Sequence, residues 1–170
     1  VLPSDVCKAK LSGVFSILIQ EKEMSVIHSY SEAYLQEVVE TQGKLFDRVS
    51  DYEPGIDVED FIKKYMVSRT RSFIDNGQAY VCTMNANELW LYFCKNDNYE
   101  LKKGETIGGF TADWIGRFYA YFQWYYNIPS KEVIEMVPLD FMCVAYNGLY
   151  DLELNLAVKK VGEQVIQVKK

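Results

Sequence analysis

The chain has 170 residues, 18 Lys and Arg against 24 Asp and Glu, and a formal net charge of -6. Hydrophobic residues make up 49% and aromatic residues 15%. This excludes a disordered or disulfide-dense chain and fits one globular domain over residues 1–170. The acidic balance opposes general nucleic-acid binding: the basic residues occur singly or as pairs such as Lys63-Lys64, Arg69 with Arg71, and Lys102-Lys103, most of them flanked by acids.

Residues 4–24 read as a helix capped by Ser4 or Asp5, with Val6, Leu11, Val14, Phe15, Leu18 and Ile19 largely on one face. A second helix is expected from about Ser31 to Thr41, on a stripe of Tyr34, Leu35, Val38 and Val39. Gly43 stands near its end, and Lys44 to Val49 adds a further turn. Pro54-Gly55 marks a loop. Asp57 then caps the clearest helix, in which Phe61, Ile62, Tyr65, Met66, Phe73 and Ile74 keep the helical period until Asn76-Gly77.

Residues 78–84 lean towards a strand. For 89–103 two readings stay open. Asn85 or Asn87 followed by Glu88 favours a helix, the preferred reading; Asn96-Asp97 between aromatic-rich runs favours a small β-hairpin. Residues 102–110 form a Gly-containing linker, a hinge between two helical layers. Thr111 is expected to cap the helix 112–127, which Pro129 stops, and Ser130 to cap a short helix carrying Val133, Ile134 and Val137. Pro138 opens another short helix to Asn147-Gly148. Asp151 is expected to cap the last helix, whose tail after Gly162 frays. The fold class is therefore all-α: a single multi-helix bundle.

Its centre is an aromatic helix. Between Trp114 and Tyr126, eight of thirteen residues are aromatic. A helix apolar nearly all round is buried on most sides, and Gly116 with Ala120 permits close approach of a neighbour. Tyr and Trp also suit a ligand pocket, because an apolar ring carries a polar tip. Arg117, Tyr119, Trp124 and Tyr126 are the candidate ligand-binding residues. Arg117 is expected to pair with Glu132 or Glu135, to lie over an aromatic face, or to hold an anion, with the structural ion pair preferred.

Catalytic and metal chemistry finds no motif. Cys7, Cys82, Cys94 and Cys143 include no C-x-x-C pair and read as small buried hydrophobes, while His28 is the only histidine. There is no G-x-S-x-G elbow, phosphate loop, dinucleotide fingerprint, H-E-x-x-H or EF-hand sequence. No catalytic residue, metal or cofactor is assigned. Without an apolar run of about 20 residues or a secretory leader pattern, no membrane association is expected and the cytoplasm is the expected location. The start at Val1 reads as a processed end or as the edge of a longer polypeptide.

Gly109-Phe-Thr-Ala-Asp-Trp-Ile-Gly-Arg117, Tyr119-Ala-Tyr-Phe-Gln-Trp124, Ser130-Lys-Glu-Val133 and Tyr146-Asn-Gly-Leu-Tyr-Asp-Leu152 together resemble a segment of small uncharacterised bacterial proteins from mobile or toxin–antitoxin-like loci. The resemblance covers about the last third of the chain and carries no catalytic signature, so it transfers no functional residue. The expected function is a non-catalytic bacterial interaction or regulatory module that binds another protein. The alternative is a small-molecule-binding or enzymatic domain with an aromatic pocket around residues 117–126.

Overall fold

The computed structural model describes residues 27–52 and 55–167. The helix expected over 4–24 lies outside them. Among the described residues there are nine helices and no strand. In chain order, α1 is Glu32–Ser50, α2 Val58–Met66, α3 Arg69–Asp75 and α4 Ala79–Cys82. Then come α5 Ala86–Asn96, α6 Gly109–Tyr126, α7 Ser130–Met136, α8 Leu139–Leu149 and α9 Leu154–Gln167. The all-helical fold and the central aromatic helix, α6, agree with the sequence reading. No described helix is long and apolar enough to cross a membrane.

The departures have local causes. Helix α1 does not close at Gly43: a Cβ there would lie 2.7 Å from the Arg117 Cγ, so this glycine admits α6 rather than ending α1. The helix expected from Asp57 to Asn76 is two helices. Ser68 Oγ donates to Tyr65 O at 2.6 Å and accepts the Arg71 N–H at 3.0 Å, so one hydroxyl serves the end of α2 and the start of α3. The Asp97 carboxylate accepts the Arg69 and Thr70 N–H groups at 2.8 and 3.1 Å, and its charge suits the N-terminus it faces.

Residues 79–82 form a helical turn rather than a strand, because Val81 and Cys82 donate back to Gln78 O. At 86–96 the helix prevails over the hairpin. Asn85 and Glu88 make a reciprocal capping box, and Asn98 takes the left-handed conformation (φ 50°) just beyond the helix.

Three expected caps are displaced. Helix α6 starts at Gly109 with Gly108 as its cap, and Thr111 sits inside the first turn, donating its N–H to Gly108 O. Pro129, not Ser130, occupies the cap position of α7, because Asp75 accepts the Ser130 N–H and hydroxyl. The last helix starts at Leu154 rather than at Asp151, with the Leu156 and Ala157 N–H groups donating to Glu153 O, and it continues past Gly162 to Gln167.

The 102–110 stretch lies against the start of α2. The Asp57 N–H donates to Lys102 O at 2.7 Å, the Val58 N–H to Glu105 O at 3.2 Å, and the Thr106 hydroxyl to Ser50 O at 2.7 Å.

Helix α6 packs mainly on α1 and also touches α7, α8 and α9. The crossing with α1 is as close as Gly116 allows: a Cβ there would stand 2.7 Å from Gln42 O. Phe118, Tyr119, Ala120 and Phe122 have no solvent exposure. Phe122 and Tyr126 continue the packing towards Gly162 on α9, where a side chain would collide with the Tyr126 ring. A second aromatic cluster joins Phe46, Phe61, Tyr65, Trp90, Phe93 and Tyr99, mostly edge to face at 5.0–6.4 Å. Such pairs add about 0.5–1.5 kcal/mol each to the burial of their area.

Candidate functional site

The four residues singled out on α6 point in different directions. At about 100° per residue, Tyr119 and Tyr126 share one side of the helix and Arg117 and Trp124 the opposite one. Arg117 pairs with Asp113 of its own helix, Nε to Oδ2 at 2.8 Å, rather than with Glu132 or Glu135. The i, i+4 spacing puts Asp113 within reach without leaving the helix. Tyr119 is fully buried and donates to Val137 O at 2.7 Å. Trp124 Nε1 donates to Tyr30 O at 2.9 Å, and the His28 ring stacks on the indole at 3.7 Å. Tyr126 packs between Phe122, Tyr125 and Gly162.

The polar centre of the molecule is Arg71, which has no solvent exposure. Its Nη1 donates to Gln42 Oε1 at 2.6 Å, its Nη2 to Gln123 Oε1 at 3.2 Å and its Nε to Ser130 Oγ at 2.9 Å. The Asp75 carboxylate, one helical turn on, stands 3.3 Å from Nε. Gln42 Nε2 in turn donates to Gly116 O at 2.7 Å. One guanidinium thus ties α1, α3, α6 and α7 together. Burial is the largest single effect and works against its charge, but Asp75, Tyr65 and Tyr30 together outweigh it and hold the guanidinium above its ordinary pKa. Burial likewise pushes the phenols of Tyr30 and Tyr65 up to about 12.

Beside this network a cleft of about 510 Å³ is lined by Ser68, Ser72, Asp75, Gln123, Asn127 and Lys131, among others. Gln123 and Asn127 come from the aromatic helix. The Arg71 network escapes sequence reasoning because its members lie 29 to 59 positions from Arg71 in the chain, apart from Asp75. The Arg71–Asp75 spacing of four was the one local signal. The same burial removes Arg71 from the basic surface.

Two surfaces carry apolar side chains in acidic surroundings. Phe110, 88% exposed, lines a cleft with Asp47, Asp51 and Asp113. Partial burial, then the charges of Asp51 and Asp113, raise the Asp47 carboxyl above its ordinary range. On α8, Phe141 and Val144 are exposed beside Asp140. Among the described residues no group of three or more His, Cys, Asp or Glu is placed to hold a metal ion. Cys82 is buried, and Cys94 and Cys143 are half-buried, all as free thiols. No protein-family model, curated protein or solved structure matches the chain.

Proposed function

We propose that this chain is a non-catalytic interaction module of a bacterial cytoplasm, a helical bundle that presents an apolar and acidic surface to a protein partner. The observation that carries the reading is the exposed apolar strip of α8, Phe141 and Val144, within an acidic segment that holds no Lys or Arg. Apolar surface bordered by charge of one sign marks a binding face, and the charge steers a partner of opposite sign. The interior supports the same reading: Arg71, Gln42, Gln123 and Ser130 are engaged with one another across helices, as a rigid scaffold requires. The resemblance of the last third supports the bacterial setting.

The test is affinity capture with the full chain from cells of its source at physiological salt, followed by rebinding of the purified partner. A partner that copurifies and rebinds at a fixed ratio is the expected result. The chain recovered alone contradicts the reading.

A second reading, a small polar ligand in the cleft beside Arg71, is favoured by Gln123, which lines that cleft and also accepts from Arg71 and Tyr30. A panel of small polar metabolites that raises the melting temperature of the wild type but not of Asn127→Leu would support it. No shift with any of them would count against it.

A further inference from the structure

Helix α8 buries one side and leaves the other bare. Leu139, Met142 and Leu149 face the core. At about 100° per residue, Val144 lies opposite them, with Phe141 and Gly148 within about 60° of it. Val144 is 77% exposed and Phe141 41%. A methyl group at Gly148 would meet nothing within 4 Å, so the strip is open at that end. Asp140 and Asn147 border it, exposed Asp151 and Glu153 follow the helix, and Lys63 of α2, the basic group that acts on Asp140, is itself paired with Glu59 at 2.7 Å. From Glu132 to Val158 the chain carries five acidic residues and no Lys or Arg.

Resting on the interaction-module reading, we propose that this face of α8 receives the apolar side of a basic amphipathic helix from the partner protein. The charge pattern selects that occupant. Lysines and arginines flanking an apolar stripe meet Asp140, Asp151 and Glu153 while the stripe covers Phe141 and Val144. An acidic helix is repelled, and a second copy of this chain would bring two like-charged rims together. Helix α8 has 11 residues, about three turns, enough to align with the i, i+3, i+4, i+7 anchors of an incoming helix.

The probe is a fluorescein-labelled peptide of about 14 residues with Leu at those anchor spacings and Lys elsewhere, against a counterpart with Glu in place of Lys. Both are titrated with the full chain by anisotropy at about 0.15 M salt. The Lys peptide is expected to bind at least about tenfold more tightly than the Glu peptide. Val144→Glu separates docking from mere charge attraction: it adds a negative charge yet weakens Lys-peptide binding about tenfold, with the wild-type melting curve retained because Val144 is exposed. The combined variant D140N, D151N and E153Q is expected to weaken binding and flatten its salt dependence.

Unchanged or tighter binding by Val144→Glu overturns the proposal, as does a dimer of the chain that Val144→Glu dissociates in sedimentation. A captured partner that binds wild type and Val144→Glu alike overturns the α8 site and leaves the interaction module standing. Capture of no partner removes the module itself.

Discussion

Arg71 holds a positive charge with no solvent exposure, and its partners come from four helices. Removing one member of a buried ion pair leaves the other uncompensated, so Arg71→Met is expected to lower the stability by about 3–5 kcal/mol, read from urea unfolding. The double variant R71M/D75N is expected to recover part of that loss. If Arg71→Met unfolds at the wild-type urea concentration, the network does not support the fold.

The half-exposed Arg117–Asp113 pair sets the contrast: Arg117→Ala is expected to cost at most about 1 kcal/mol. The phenols of Tyr30 and Tyr65 add a pH dependence. Their folded pKa of about 12 lies above the ordinary 10.0, so the folded state keeps its protons where the unfolded chain loses them. Their contribution is complete below pH 10 and is lost as the pH rises through about 12. Urea midpoints should fall across that window, and less so in Y30F/Y65F; equal slopes in both proteins would contradict the assignment.

Elements were legible where the signal is local. The Asn85–Glu88 box and the Asp57 cap are read over three residues, and both form in the structure. The Gly116–Ala120 spacing also announced a close neighbour. What a glycine without such a partner does inside a helix was not legible: Gly43 meets α6 and Gly148 open space, whereas Gly116 meets α1. The three therefore respond differently to alanine. Gly116→Ala forces α1 away from α6 and is expected to destabilise by about 1–3 kcal/mol. Gly148→Ala, with open space and the higher helix propensity of alanine, is expected to be neutral or to stabilise by up to about 1 kcal/mol. Thermal melts of the two variants check this directly. The break at Val67-Ser68 was hidden for another reason: the groups that stabilise it include Asp97, 27 or 28 positions away.

At the scale of the whole molecule, the fold class followed from apolar period and caps, while the polar centre did not, since Gln42, Arg71, Gln123 and Ser130 meet only when four helices pack. The second aromatic cluster was missed likewise, its rings being spread over α1, α2, α5 and the turn after it. The aromatic helix, expected as a core and as a pocket, is a core whose end contributes Gln123 and Asn127 to a polar cleft. The proposed docking face lies at the periphery, where α8 carries exposed apolar surface within the acidic segment. The most direct measurement is hydrogen exchange of the full chain with and without its captured partner. Amides of residues 139–153 are expected to slow on binding, more than those of α6. Unchanged exchange across 139–153 in a saturated complex would contradict the assignment of α8 as the docking face.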